Sequence, residues 1–392
     1  MACIYLSYPP IIALCPATDA PSRSRLGTCQ CFDLEFMNVG ILTIYAVPNY
    51  GAMLQAYGLS TYLKSQGVNA EIVNYRQPEL DHYFRFKLSF PPALNRWRFI
   101  RNCSRFVEKW IPKGAGVAKS FDEIQPHLGK YDAFITGSDQ VWFTGPVQFY
   151  DRMFFLDFPA PGKRKISYAA SAGGNESFGQ FEDRVTKAIS DFDHLGVRDA
   201  HTASLVAPLT EKPLTQTVDP VFLHDFDELL SAHSPSDEPY ILVFGDFRGD
   251  LAKVVSEVRA LTGISRVISL QYPCPEATDR LPVAGPIEWL NHFKHAAFVV
   301  TSYFHGTVAA VKFHRPFVSV PTPGRRHKVA TLLEPLGLCG RCFLNEAELR
   351  QLSEVVRKPI EWSAVDQKLD PMIASSKEFL RNALSLSPSN LS

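Results

Sequence analysis

The chain has 392 residues, 46% of them hydrophobic, with 40 basic and 40 acidic side chains that leave a net charge of zero. Its length exceeds that at which a single core keeps growing, so two domains are predicted, and 28 Phe with 14 Tyr exclude a disordered chain. Without a global positive field, nucleic acid is not an expected partner. Residues 1–36 are expected to be a disordered tail or a misassigned start. The apolar run from Ile4 to Leu14 has no preceding Lys or Arg, contains Pro9-Pro10 and is too short to span a membrane. The 8 cysteines (Cys3, Cys15, Cys29, Cys31, Cys103, Cys274, Cys339 and Cys342) are scattered rather than clustered. That pattern favours reduced thiols and a cytoplasmic location. Cys339 and Cys342 lack the two further ligands at suitable spacing that a zinc or cluster site needs, so no metal is expected.

From Met37 onward, short β-branched or aromatic runs alternate with helical patterns, the signature of parallel sheets with crossover helices. Strands are predicted over Val39–Ile44, Ala70–Tyr75, Tyr131–Thr136, Lys165–Ala170, His194–Val197 and Thr215–Val218, and the first helix over Ala52–Ser65. Between Tyr75 and Tyr131 lies an insertion, near 82–115. There Arg98, Arg101, Arg105 and Lys109 fall on one helical stripe and Phe99, Cys103, Phe106 and Trp110 on the next. This pattern is either a solvated face over a packed one or a contact for an anionic, lipid-linked acceptor at a membrane surface.

The turn-rich stretch Ser231–Pro239 marks a boundary between residues 37–230, an N-terminal Rossmann-like domain, and residues 239–345, a C-terminal Rossmann-like domain. Strands are predicted there over Tyr240–Phe244, Arg266–Leu270, Phe298–Thr301 and Phe317–Val320, and helices over Leu251–Leu261, Ile287–His295 and from Gly306. Residues 346–392 are assigned to C-terminal helices, of which Asp370–Leu384 is placed to pack back across the junction. The predicted fold class is α/β, with two Rossmann-like domains facing a cleft.

In open α/β sheets ligands collect beyond the carboxyl ends of the strands, which singles out four loops. Asn49 and Gly51 open a helix, where free amides favour anions and glycine admits close approach, although Asn and Gly also simply cap helices. Ser138, Asp139, Gln140 and Trp142 cluster hydroxyl, carboxylate, amide and indole in one turn. Such a turn can grip a polyol, or it can cap the next helix with Trp142 in the core. The small residues of Tyr168–Gly174 let a ligand lie against backbone. Most telling is the strand-to-helix junction carrying Ser302, His305, Gly306 and Thr307. There the helix start stabilises negative charge and an imidazole can donate a proton near neutral pH. Arg198, after its own strand, can reach the same cleft with a bidentate fork for carboxylate or phosphate.

The ordered set Asn49-Tyr50-Gly51-Ala52-Met53-Leu54-Gln55, Gly137-Ser138-Asp139-Gln140-Val141-Trp142, Ser167-Tyr168-Ala169-Ala170-Ser171, Val197-Arg198-Asp199, Asp219-Pro220-Val221 and Ser302-Tyr303-Phe304-His305-Gly306 resembles the polysaccharide pyruvyl transferase family, from Met37 to about Cys342. The resemblance implies a GT-B-like fold and transfer of a pyruvyl group from phosphoenolpyruvate to a saccharide as a ketal, in exopolysaccharide or cell-surface glycan synthesis. It makes His305 and Arg198 the catalytic pair. Ser302, Gly306, Thr307, Asn49 and Gly51 are expected at the donor; Ser138, Asp139, Gln140 and Trp142 are expected at a saccharide or lipid-linked acceptor. No obligatory cofactor is implied, because the donor carries its own activation. Three positions depart from the family pattern: Tyr303 stands where Arg is frequent, Asp199 where Glu is common, and Phe143 where Asn is frequent. Losing an Arg beside His305 removes one possible phosphate contact. A nucleotide-sugar glycosyltransferase on the same architecture and a non-catalytic saccharide-binding relative remain open, as does a redox partner using Cys339 and Cys342.

Overall fold

The computed structural model describes residues 37–78, 93–145, 150–245 and 251–386. The call on residues 1–36, with Cys3, Cys15, Cys29 and Cys31, and the first part of the basic insertion lie outside them.

The first half runs β1 (Asn38–Leu42), α1 (Tyr50–Ser65), β2 (Asn69–Ile72), α2 (Ala93–Trp110), α3 (Phe121–Leu128), β3 (Ala133–Thr136), β4 (Arg164–Ala170), α4 (Glu182–Ser190), β5 (His194–Val197), α5 (Ala200–Val206) and β6 (Leu214–Gln216). The second runs β7 (Tyr240–Phe244), α6 (Leu251–Thr262), β8 (Arg266–Leu270), β9 (Asp279–Leu281), α7 (Pro286–His295), β10 (Phe298–Thr301), α8 (Phe304–Lys312), β11 (Phe317–Ser319), α9 (Arg326–Leu336), α10 (Glu346–Leu349), α11 (Leu352–Arg357) and α12 (Trp362–Leu384).

Two sheets result, ordered β2-β1-β3-β4-β5-β6 and β11-β10-β7-β8-β9. Every pairing between these strands is parallel. The sequence pattern reflects this, because strands covered by helices on both faces are continuous apolar runs rather than alternating ones. β3 (Ala-Phe-Ile-Thr) and β10 (Phe-Val-Val-Thr) are buried throughout. The chain order reverses between β1 and β3 in one sheet and between β7 and β10 in the other. These reversals open the crevices in which open α/β sheets bind ligands.

The element boundaries shift for physical reasons. β2 stops at Ile72, three residues short of the predicted end, because the chain beyond it pairs with the segment after α2. The Gly114 amide donates to Ile72 O at 2.9 Å and the Ala118 amide to Asn74 O at 3.0 Å. The last helix starts at Trp362 rather than Asp370, running through Pro371, whose ring removes one internal bond without ending the helix. α12 packs on the first sheet: Ser376 Oγ accepts from the Val218 amide at 3.0 Å, and the Phe379 ring lies over Gly196.

α1 is buried along almost its whole length. It contacts β2 and the 3-10 turn Pro220–Leu223 of its own half, and α7 of the other. The Tyr50 hydroxyl donates to Ala284 O at 2.8 Å, and the Tyr50 ring stacks on Trp289 of α7 with centroids 5.5 Å apart. The start of α1 is therefore pinned against the second half, which brings the two carboxyl edges together.

Candidate active site

Four strand ends supply the centre. Asp219 lies just after β6, immediately before the 3-10 turn, and is wholly buried. Its Oδ1 accepts the Val221 amide at 3.1 Å, and its Oδ2 receives Arg198 Nη1 at 3.0 Å and the Ser138 hydroxyl at 3.3 Å. From the second half, His305 brings Nε2 to 3.4 Å from the same Oδ2. Burial alone would raise the Asp219 carboxyl. His305, Arg198 and the Val221 amide outweigh that and hold it at about 2. The carboxylate is thus ionised at neutral pH and balances the Arg198 guanidinium.

Arg198 follows β5 and is clamped from both halves. Nη1 also reaches Ser138 Oγ at 3.2 Å, Nη2 lies 3.6 Å from Asp139 Oδ1, and the guanidinium sits 4.6 Å from the centroid of Phe304. Arg198 Nε and Nη2 have no hydrogen-bond acceptor among the described residues, whereas His305 Nε2 is turned toward Asp219. Buried N–H groups left without acceptors are costly, and here they belong to a guanidinium at the carboxyl edge of the first sheet.

Two further cations join from α9 and its cap, and sequence reasoning missed both. Lys328 is buried; desolvation, reinforced by Arg198 and opposed by Asp139 and Asp199, pulls its amine down to about 7. The Arg325 guanidinium lies 4.5 Å from the centroid of the Tyr303 ring and donates to Thr322 Oγ1 at 3.1 Å. Tyr303, in the position where the resemblance expects an arginine, therefore carries a guanidinium from another segment on its face.

The remaining predicted residues divide between site and scaffold. Gly51 makes room for His305, because a Cβ there would lie 2.0 Å from His305 Nδ1. Asn49 caps α1, accepting from the Ala52 amide at 3.3 Å. Gly306 and Thr307 also serve the packing of the junction. A Cβ on Gly306 would lie 2.2 Å from Thr301 Oγ1, and the buried Thr307 hydroxyl meets Ser319 Oγ at 3.0 Å. Ser302 is also buried, its amide bonded to Phe244 O at 3.2 Å. Trp142 is corrected from acceptor contact to core: it is wholly buried, its Nε1 donates to Phe154 O at 3.1 Å, and its ring stacks on Phe155. Ser138 belongs to the Asp219–Arg198 network rather than to open solvent. Asp139 takes a positive φ of 74°, which turns its carboxylate back toward Arg198, and Gln140 beside it is half-buried. Asp199 caps α5, accepting the Thr202 amide at 2.8 Å, and receives the Ser171 hydroxyl at 2.7 Å, tying down the loop after β4. Of the Cys pair, Cys339 is exposed, while burial pushes the Cys342 thiol up to about 12. That opposes thiolate redox chemistry.

The family model described as polysaccharide pyruvyl transferase matches residues 49–323, which include every residue of the central cluster except Arg325 and Lys328. The chain belongs to the polysaccharide pyruvyl transferase family. No curated protein matches it in sequence. Among solved structures it is similar to UDP-GlcNAc 2-epimerase from Methanocaldococcus jannaschii, at 12% identity and TM-score 0.53 over 89% of this chain and 100% of that one. It is likewise similar to S. aureus MnaA, solved with UDP, at 11% identity and TM-score 0.54 over 91% of this chain and 100% of that one. At such identities the likeness speaks for the fold alone, and the fold of this pyruvyl transferase family member is α/β and GT-B-like.

Proposed function

We propose that the protein transfers the pyruvyl group of phosphoenolpyruvate to two hydroxyls of a saccharide, forming a ketal and releasing phosphate. The observation that carries the donor assignment is the pair of acceptor-free N–H groups on the buried Arg198 guanidinium, with His305 and the buried Lys328 amine beside the same carboxylates. A small, multiply charged anion suits a pocket in which a buried guanidinium retains unspent donors and further basic side chains stand near.

The chemistry balances without an oxidant or a second cofactor. A proton adds to the methylene carbon of the enol, the central carbon becomes electrophilic, and a sugar hydroxyl adds there and gives up its proton. The carbon–oxygen bond to phosphate then breaks, and a second hydroxyl closes the ketal as its proton leaves. One hydroxyl proton replaces that used at the methyl group and the other goes to phosphate. His305, oriented by Asp219, is the proton donor or phosphate anchor. Arg198 binds carboxylate or phosphate, and Lys328 and Arg325 neutralise the departing phosphate. Asp139 and Gln140 orient the acceptor hydroxyls.

The acceptor is proposed to be a saccharide or lipid-linked oligosaccharide met at the cytoplasmic side, where scattered thiols stay reduced. Peripheral membrane contact is proposed for α2, on which Arg98, Arg101, Arg105 and Lys109 are exposed; none of the helices among the described residues is long and apolar enough to cross a membrane. Phosphate release from phosphoenolpyruvate by purified protein, with a panel of saccharides, tests the reading. Release that depends on a saccharide and is lost in His305→Ala and Arg198→Ala supports it. No release and no thermal protection by phosphoenolpyruvate sinks it.

A further inference from the structure

Phe143 is 40% exposed, one of few large apolar side chains so exposed among the described residues, although it directly follows the wholly buried Trp142. A scattered surface aromatic needs no explanation, but the position of this one is built. Gly145 has φ 43° and Gly173 φ 67°, and both lie against the ring. A Cβ on Gly145 would come within 2.5 Å of Phe143 Cε1, and one on Gly173 within 2.8 Å of Cδ2. Two glycines in left-handed conformations, one from the loop after β3 and one from the loop after β4, thus bracket opposite edges of a single ring. Both loops are braced: the Gly145 amide donates to Asn175 Oδ1 at 3.2 Å, and Asn175 Nδ2 donates to Trp142 O at 3.1 Å. Backbone entropy and left-handed geometry are being spent to hold an aromatic side chain partly in water.

Its neighbours indicate what the ring faces. β3 and β4 are central in the first sheet, and the loops at their carboxyl ends border the crevice that contains Arg198. The Phe143 amide donates to Gln140 O at 3.1 Å, closing the turn that carries Asp139 and Gln140. The Gln140 carboxamide makes no hydrogen bond to the described residues, and Asp139 lies 3.6 Å from Arg198. A partly exposed ring carried on the same turn as a carboxamide and a carboxylate that approaches Arg198 matches a ligand with C–H groups on one face and hydroxyls at its rim. A pyranose has that chemistry.

We propose that Phe143 is the stacking platform for the acceptor sugar, with Gln140 and Asp139 meeting hydroxyls at its edge. The proposal rests on the saccharide-acceptor reading above and adds the subsite and its determinant. It reassigns to Phe143 the aromatic contact that the sequence suggested for Trp142.

The test is saturation-transfer NMR on the full chain with methyl β-D-galactopyranoside, methyl β-D-glucopyranoside and methyl β-D-mannopyranoside, beside thermal-shift titrations with phosphoenolpyruvate. Wild type and Phe143→Tyr are expected to saturate the ring C–H protons of at least one glycoside, while Phe143→Ala weakens that binding by about tenfold, the scale of one aromatic contact. Phosphoenolpyruvate protection stays equal in all three proteins, which also shows that Phe143→Ala is folded. Glycoside binding unchanged in Phe143→Ala, or no saturation of any of the three by wild type, overturns the platform. Loss of phosphoenolpyruvate protection in wild type overturns the donor reading instead and leaves the platform standing.

Discussion

At the scale of single residues, the centre depends on a carboxylate that is affordable only while its partners are in place. Removing Arg198 leaves Asp219 buried with one cation fewer, so Arg198→Ala should lose about 3–5 kcal/mol of stability as well as turnover, read by denaturant melts. Asp219→Asn keeps the shape but removes the charge that holds His305 and Arg198. Phosphate release should fall while the fold survives, and unchanged release would remove Asp219 from the mechanism. Gly51→Ala is the sharpest probe of geometry. Its methyl group would occupy the space of the His305 imidazole, and a displacement of about 1 Å at a reacting group costs on the order of 100-fold in kcat/KM. His305 and Arg198 were legible because each follows an apolar strand run, and the sheet does bring them to one carboxylate. Asp219 was quoted only as part of a motif, since the partners that give it meaning are 21 and 81 residues away for Arg198 and Ser138. Lys328 and Arg325 sat in the unremarkable basic run Arg325-Arg326-His327-Lys328, where nothing in composition separates a buried lysine from a solvated one.

At the scale of elements, α2 keeps the amphipathic pattern read from its residues. Phe99, Cys103, Phe106 and Val107 are buried, whereas Leu94 and Trp97 are 59% and 56% exposed. Arg101 lies over the Trp97 ring at 5.1 Å, and Arg98, Arg105 and Lys109 are exposed beside it, while the nearby Glu108 pairs with Lys113 at 3.2 Å. Each exposed cation is worth about 1 kcal/mol at an anionic bilayer. Reversing Arg98, Arg101 and Arg105 together to Glu should therefore abolish co-sedimentation with phosphatidylglycerol vesicles, and salt should weaken the wild-type binding. Equal sedimentation of the variant would return α2 to a solvated face. Strand identity was read well because parallel, doubly covered strands are distinctive in composition. The ends of β2 and α12 were not, because they depend on pairing with a distant segment and on packing that carries a helix through a proline.

Across the whole molecule, the ionisable centre links stability to pH in two windows. The folded-state value of Asp219, about 2, lies below the roughly 3.9 of an unfolded aspartate. The unfolded chain therefore takes the proton first, and the stability this carboxylate contributes above about pH 4 is lost as pH falls through about 2. Lys328, at about 7, lies below an unfolded lysine near 10.4. Between those values only the unfolded chain holds the proton, so stability rises with pH from about 7 to about 10. Lys328→Met should flatten that rise in a Tm-against-pH series. A bound anion favours the ammonium form, so phosphoenolpyruvate should bind more weakly as pH climbs past about 7, and the Met variant should lose that dependence as well. A pH-independent wild-type affinity would take Lys328 out of the donor site.

The sequence alone determined the layered α/β architecture, the family and the strand ends where chemistry gathers, because hydrophobic periodicity and local turn chemistry are properties of neighbouring residues. Tertiary structure alone decided which polar residues are buried and which partners they meet. The apposition of two sheets put Gly51 against His305, buried Asp219 and Lys328 among their partners, drew Trp142 into the core and left Phe143 at the edge. Burial and charge pairing are set by residues far apart in the chain, and no local pattern records them.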